Sequence, residues 1–172
     1  MATKLLLIDP IETFIKVTEE SLYREKIFDT VGANYTKTLL SSGSGLISLN
    51  TDAETVMERL KEERKQYGAK IVFVSPYNRD SVKTILDFYN FPTKHLYSFA
   101  ASVNRRDVAF RDILEYFEVE AGECTMVSAF RKEIEEAKAF GYRTVFFDRS
   151  GRLSTKETDP VIHHLHEISF TL

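Results

Sequence analysis

Four short, largely apolar runs, each closed by a polar residue, constrain the fold of this chain more than any other feature. The first occupies residues 5–8 and ends at Asp9 and Pro10, and the others occupy residues 71–74, 125–127 and 144–147. An unbroken apolar run of this length is typical of a strand buried on both faces, and proline cannot continue a strand ladder. The runs therefore predict central strands of a parallel sheet, with residues 95–99 as a weaker fifth strand.

Stretches with helical periodicity separate these strands. Apolar residues recur at helical spacing within residues 53–60, 82–89, 110–117 and 134–140, which predicts four amphipathic helices. Because neighbouring parallel strands need long crossover connections, this alternation predicts a doubly wound α/β fold, with a mainly parallel sheet and helices on both faces. Asp159 and Pro160 have the pattern of a helix start, so we expect one short C-terminal helix through Leu165.

The segment from residue 14 to residue 45 interrupts the alternation. It is polar and irregular in period, and it ends in a run of serines and glycines. We interpret it as a flap or small insertion after the first strand. No change in composition marks a second domain, and 172 residues is a length typical of one. The sequence therefore predicts a single domain over residues 1–172.

Composition narrows the classes of function. The formal charge of −3 and the pI near 5.9 give no general attraction for nucleic acid or anionic lipid, so neither is a predicted partner. The single cysteine, Cys124, excludes an internal disulfide and favours a reducing compartment. No run approaches the roughly 20 apolar residues of a membrane span. We expect a cytoplasmic protein, with a nuclear location still open.

Candidate site residues follow from the predicted topology. In open α/β sheets, ligands bind outside the carboxyl ends of the strands, near the point where strand order reverses. The polar residues that follow the predicted strands or precede the next helix are Asp9, Thr13, Ser75, Asn104, Arg105, Arg106, Ser128 and Glu133. Each also has a structural explanation, because Asp, Ser and Thr commonly bond the amides of turns and an early Glu stabilises a helix N-terminus.

These residues carry a resemblance to the haloacid-dehalogenase-like (HAD) superfamily, covering about residues 4 to 148. The first motif of that family, an apolar strand followed by Asp-x-Asp-x-Thr, is present here as Asp9, Ile11 and Thr13 after residues 5–8. The second, a strand ending in Ser or Thr, is present as residues 71–74 and Ser75. The third places a Lys six residues before an aromatic, and here Asn104 precedes Phe110 by that spacing.

The fourth motif of the family, a strand followed by Gly-Asp, a further acid four residues later and an Ala-rich helix, corresponds to Ser128, Ala129 and Glu133. The short interval from Thr13 to Ser75 leaves no room for a large cap domain. Among subfamilies, the chain is therefore most similar to the small capless magnesium-dependent phosphatases. The resemblance implies a HAD-like Rossmannoid fold and a site at the motif residues.

Three of the motif positions depart from the family. The resemblance implies that Asp9 is the nucleophile, but Ile11 replaces the general acid, Asn104 the stabilising Lys and Ala129 a magnesium ligand. General acid catalysis contributes typically 10² to 10⁴ in rate, and magnesium depends on one or two carboxylates. We therefore predict a pseudophosphatase, with Asp9 a vestigial nucleophile beside Thr13 and Ser75.

The predicted function of such a domain is to bind a protein partner or a larger assembly. Loops over a rigid α/β scaffold commonly carry binding, and the predicted flap supplies aromatic anchors in Tyr23, Phe28 and Tyr35. Arg105 and Arg106, together with Ser128, could bind an anion or an acidic group. If the protein is a binding domain of this kind, we predict that it needs no cofactor.

The alternative is an active hydrolase that uses Asp9 as its nucleophile. It would be a phosphatase if Glu133 replaced the missing magnesium ligand. It would be a metal-free hydrolase if it followed the haloacid dehalogenases, which also lack the second Asp and carry a Ser near the position of Ser128. Those enzymes keep the Lys and have an Asn at the position of Phe130. This chain has neither residue at the corresponding position. If the protein is instead a pseudophosphatase, we predict that it binds no magnesium.

Overall fold

The computed structural model describes residues 3–18, 32–99, 106–151 and 160–172. Its strands are β1 (Leu5–Ile8), β2 (Ile15–Val17), β3 (Ile47–Leu49), β4 (Lys70–Ser75), β5 (Leu96–Ser98), β6 (Cys124–Ser128), β7 (Arg143–Phe147) and β8 (Val161–Ile162). Its α-helices are α1 (Gly32–Ser41), α2 (Ala53–Tyr67), α3 (Arg79–Phe88), α4 (Arg106–Phe117) and α5 (Arg131–Phe140). Within these parts of the chain, no helix has the length and apolar character needed to cross a membrane.

The main sheet has six strands in the order β5-β4-β1-β6-β7-β8. Every neighbouring pair in it is parallel. The chain leaves β1 to build one half of the sheet through β4 and β5, and then returns to the other side of β1 to build β6, β7 and β8. The predicted doubly wound fold is confirmed, and β1 lies at the point where strand order reverses.

Two hydrophobic clusters cover the two faces of this sheet. Leu6 and Ile8 of β1 belong to one cluster, and Leu5 and Leu7 belong to the other. All four are at most 1% exposed, as expected where alternate side chains of a strand point to opposite faces and both faces are covered. The apolar run at residues 5–8 is thus explained by burial on both sides.

The predicted flap is more regular than its sequence indicates. Within residues 14–45 the structure places β2 and α1, while residues 19–31, which include Tyr23 and Phe28, lie outside the described residues. β2 pairs antiparallel with β3, and α1 packs against α3. Phe14 is fully buried, so the segment contributes to the core as well as to the surface. No large cap domain occurs in the described part of the chain before β4.

The predicted C-terminal helix is wrong. Val161–Ile162 forms β8, which pairs with β7, and a single 3-10 turn follows at Leu165–Glu167; Asp159 lies outside the described residues. The backbone amide of Phe146 donates to the carbonyl of Pro160 at 2.9 Å. The free edge of β7 therefore offers ladder hydrogen bonds that a short local helix cannot, and tertiary pairing overrides the helix-start signal.

Candidate functional site

Asp9 follows β1 directly, at the carboxyl edge of the sheet and at the strand-order reversal. Its side chain is fully buried. Its backbone amide donates to the carbonyl of Val127 at 3.1 Å, which extends the β1–β6 ladder by one bond. Its Oδ1 accepts a hydrogen bond from the amide of Ile11 at 2.9 Å. The carboxyl group is therefore fixed in position by the turn that follows it.

The remainder of that turn uses the polar groups of the first motif. The hydroxyl of Thr13 donates to the backbone carbonyl of Asp9, and Thr13 is fully buried. Glu12 adopts a left-handed conformation with φ of 63°, and its Oε1 accepts from the amide of Val17 at 3.0 Å. Thr13 thus closes the turn that holds Asp9, which is the structural role left open by the sequence.

Two serines end the strands on either side of β1. Ser75, at the end of β4, accepts a hydrogen bond from the amide of Tyr77 at 3.2 Å. Ser128, at the end of β6, donates to Oε2 of Glu133 at 2.6 Å and accepts from the amide of Phe130 at 3.0 Å. Both serines are fully buried. The predicted residues Asp9, Ser75 and Ser128 therefore end three adjacent strands at one edge of the sheet.

Glu133, in the first turn of α5, brings a second carboxyl group to Asp9. It is only 2% exposed. Within the described residues, neither Oδ2 of Asp9 nor Oε1 of Glu133 has a hydrogen-bond donor, although the two side chains interact directly. When both carboxyl groups are ionised there is no proton to share, and each leaves an oxygen unsatisfied.

Burial controls the protonation of this carboxyl pair. The pKa of Asp9 is raised well above its ordinary value, first by burial and then by the charge of Glu133. The pKa of Glu133 is also raised, chiefly by burial. Like charges this close disfavour double ionisation, so the groups titrate as a pair. A single proton between them satisfies both unpaired oxygens, and a bound cation would satisfy them as well.

Arg106, the first residue of α4, acts electrostatically on this carboxyl pair. Its positive charge lowers the pKa of both Asp9 and Glu133. Its guanidinium forms an ion pair with Glu136 of α5, with Nη1 and Oε2 2.5 Å apart. It also lies over the ring of Phe99, 5.6 Å from the ring centroid. Asn104 and Arg105 lie outside the described residues.

Apolar side chains occupy the remaining motif positions. Ile11, where the resemblance places a general acid, is 2% exposed and belongs to the same hydrophobic cluster as Ile8 and Phe14. Ala129 and Phe130 pack against that cluster. The neighbourhood of Asp9 is therefore acidic on the side of Glu133 and apolar on the side of Ile11.

The donor set at Asp9 and Glu133 is compatible with the magnesium ion that the resemblance implies. Carboxylate oxygens are the ligands that this hard cation takes, often with only one or two carboxylates supplied by the protein, and both unpaired oxygens belong to carboxylates. Asp9 and Glu133 would hold the ion, and its charge would neutralise theirs. No group of three or more His, Cys, Asp or Glu side chains with metal-binding geometry occurs among the described residues.

Sequence reasoning missed the contact between Arg106 and Glu136. The sequence predicts that Arg106 could bind an anion, and it identifies no acidic residue of this chain as a partner. Glu136 follows Glu133 by three residues, so it lies one turn further along the same face of α5. That spacing was the available signal, but it could be used only once α4 was known to pack beside α5.

The fold and the edge residues together define the class of protein: a doubly wound α/β domain with an acidic residue at the end of its central strand. Compared by sequence, the chain matches no protein-family model and no curated protein. Compared by structure, it has the HAD-like fold, as its sequence motifs predict.

Three solved structures illustrate this similarity. A HAD phosphatase from Thermococcus onnurineus has a TM-score of 0.66 at 18% identity, over 96% of this chain and 95% of that one. The L-2-haloacid dehalogenase RSc1362 has a TM-score of 0.66 at 15% identity, over 96% of both chains. CbbY from Rhodobacter sphaeroides, solved with phosphate, has a TM-score of 0.68 at 12% identity, over 97% and 96%. At these identities the comparison establishes the fold and leaves the reaction open.

Proposed function

We propose that this protein is a catalytically degenerate HAD-like domain, a pseudophosphatase that acts by binding a protein partner. The observation that carries the proposal is the burial of Ile11 in the apolar cluster beside Asp9. When the P–O bond of a phosphate ester breaks, the alcohol leaves as an alkoxide unless a group at this position protonates the departing oxygen. Ile11 has no proton to give, and its side chain is enclosed in the apolar cluster.

The burial of Asp9 supports the same conclusion. A nucleophile must approach phosphorus, yet the Asp9 carboxyl is fully buried, its Oδ1 is bonded to the turn and its side chain interacts with Glu133. Thr13 and Ser75 are also fully buried and bonded within turns. The groups that would bind phosphate in an active relative thus serve here to hold the chain.

An activity assay tests the catalytic part of the proposal. Purified protein is incubated with magnesium and a panel of phosphate monoesters, and release of inorganic phosphate is measured for the wild type and for Asp9→Asn. We expect no turnover above that of Asp9→Asn with any substrate. Turnover that the wild type shows and Asp9→Asn lacks would refute catalytic degeneracy. An exposed carboxylate variant, Asp112→Asn, controls for preparation effects.

The binding part of the proposal is tested through the predicted aromatic anchors. Tyr23 and Phe28 are replaced together by alanine, and capture of a partner from native extract is compared with the wild type. The matched control is Tyr116→Ala, since Tyr116 is an aromatic residue 64% exposed on α4. We expect capture to be lost in the first variant and kept in the control. Equal capture by both would show that this segment does not bind the partner.

One observation favours a second candidate, an active hydrolase with a magnesium ion at Asp9 and Glu133. The two unpaired carboxylate oxygens supply ligands that the sequence spacing alone left in doubt. In this candidate the carboxylate of Asp9 forms a bond to phosphorus while the bond from phosphorus to the leaving oxygen breaks. Since Ile11 supplies no proton, only stable leaving groups such as aryl oxides depart. Rates that fall steeply as the leaving-group pKa rises would distinguish this enzyme from one with a general acid.

A further inference from the structure

A groove of about 410 Å³ lies at the opposite edge of the sheet from Asp9. It is formed where α2 ends, where β4 begins and where the chain enters β5. Five of its lining residues are basic: Arg64, Lys65, Lys70, Lys94 and His95. The other lining residues are Gly68, Ala69, Ile71 and Pro92, so the lining includes no acidic residue. We call this feature the basic groove.

Three cations of the basic groove differ from several other described cations of the chain, which are ion-paired. Lys4, Arg59, Lys61, Lys83 and Arg106 each form an ion pair with a nearby acid. Within the described residues, no ion pair involves Arg64, Lys70 or Lys94, while Lys65 pairs with Glu62 at 2.7 Å. In a protein with net charge −3, a local excess of unpaired positive charge points to an anionic ligand.

The C-terminus of α2 explains only part of this charge. Basic residues in the last turn of a helix stabilise its carbonyl end, which accounts for Arg64 and Lys65. Lys70 lies on β4, and Lys94 and His95 lie in the connection between α3 and β5. These three residues belong to other elements and have no helix end to complement. Their position at the same groove therefore needs a different explanation.

The surroundings of His95 show that the charges act at one place. Burial lowers the pKa of His95 first, and the positive charges of Lys94, Lys70 and Arg64 lower it further. The imidazole ring also packs edge-on against Phe117, with centroids 4.9 Å apart. The groove thus combines several cations that act on one another with an imidazole ring held in place by Phe117.

We propose that the basic groove binds an acidic segment of a partner protein, whose carboxylates pair with Arg64, Lys70 and Lys94. The amides of Gly68 and Ala69 already bond the carbonyls of Lys65 and Arg64 in the helix cap, so they provide no backbone cradle of the kind that favours phosphate. Lysine ammonium groups are flexible point charges, which suit carboxylates distributed along a segment. Because Asp9 is at the other edge of the sheet, this binding is independent of any chemistry there.

Fluorescence anisotropy with a labelled hexaglutamate peptide tests the proposal. A hexaglutamine peptide and a twelve-residue oligothymidylate are the comparison ligands. The groove variant Arg64→Gln/Lys70→Gln/Lys94→Gln is matched by Arg111→Gln/Lys16→Gln/Lys37→Gln, which removes the same charges from exposed positions elsewhere. Circular dichroism and a thermal melt establish that each variant is folded. If the triple variant does not fold, Lys94→Gln alone is used, since Lys94 is exposed in a connection.

We expect hexaglutamate to bind the wild type, to bind more weakly as salt increases, and to lose about tenfold in affinity in the groove triple variant or about threefold in Lys94→Gln alone. The matched control should keep its affinity, and hexaglutamine should not bind. Three results would overturn the proposal. These are no binding of hexaglutamate, equal weakening in the groove variant and its matched control, and tighter binding of the oligothymidylate than of hexaglutamate. The last would identify the ligand as a nucleic acid.

Discussion

Replacing Asp9 with asparagine should stabilise this protein, although Asp9 is fully buried and hydrogen-bonded. The amide oxygen of asparagine can keep the bond from the Ile11 amide, while its NH₂ group can donate to the unpaired Oε1 of Glu133. Leaving a buried polar group unsatisfied costs about 1 to 3 kcal/mol. For a domain of this size, recovering that energy raises the melting temperature by about 2 to 12 °C.

The gain should depend on pH in a defined direction. Burial raises the pKa of Asp9 in the folded state well above the ordinary 3.8, so the folded protein holds this proton more tightly than the unfolded chain does. The contribution of Asp9 to the free energy of unfolding is therefore fully present below about pH 4. It is lost as pH rises through the pKa that Asp9 has in the folded state. The difference between Asp9→Asn and the wild type should be small at pH 4 and should grow as pH rises.

Thermal melts from pH 4 to pH 8 in EDTA measure this effect, with Asp112→Asn as the exposed control. The same melts in millimolar magnesium show whether a cation occupies the carboxyl pair, because a ligand at 100 times its dissociation constant stabilises the folded state by about 2.7 kcal/mol. The degenerate reading predicts no magnesium effect. Asp9→Asn melting below the wild type at neutral pH in EDTA would refute the view that the carboxyl pair is strained.

Three further outcomes test other parts of the structure. Ile11→Asp should lose about 3 to 5 kcal/mol of unfolding free energy in urea, because it places a carboxyl in the apolar cluster at a position 2% exposed; a smaller loss would mean that the site admits water. Tyr142→Phe should lose about 1 kcal/mol by equilibrium unfolding, since the Tyr142 hydroxyl donates to the Phe110 carbonyl at 2.8 Å; unchanged stability would contradict that bond. Burial raises the pKa of Cys124 to about 12, so Ellman's reagent at pH 8 should label it only in denaturant, and rapid labelling of folded protein would contradict its burial.

The central sheet could be predicted from sequence because its signal is local. The run at residues 5–8 is apolar at every position, and such continuity has one common explanation in a strand covered on both faces. β8 could not be predicted in this way, since two residues carry almost no pattern and their conformation is decided by pairing with β7. The insertion after β1 was predicted, but its helix α1 was not, for a similar reason: α1 depends on packing against α3.

At the candidate site, sequence placed residues at the correct edge but did not give their contacts. Topology alone brings the ends of β1, β4 and β6 together, so Asp9, Ser75 and Ser128 follow from the strand pattern. The interaction of Glu133 with Asp9 depends on where α5 begins and on a side-chain rotamer. Neither is encoded in spacing, and the roles of these residues in binding or catalysis stay predictions.

The position of β1 at the centre of the sheet also determines when the fold can be completed. Its two neighbours arrive much later in the chain, and the hydroxyls of Thr3 and Thr125, which bond at 2.8 Å, are separated by 122 residues. Such non-local pairing slows folding, because loop closure must precede the contacts that reward it. During synthesis, the apolar residues of β1 emerge before both neighbouring strands, and they acquire their second strand partner only after β6 has left the ribosome. Until β6 emerges, one edge of β1 is unpaired, which exposes the nascent chain to aggregation.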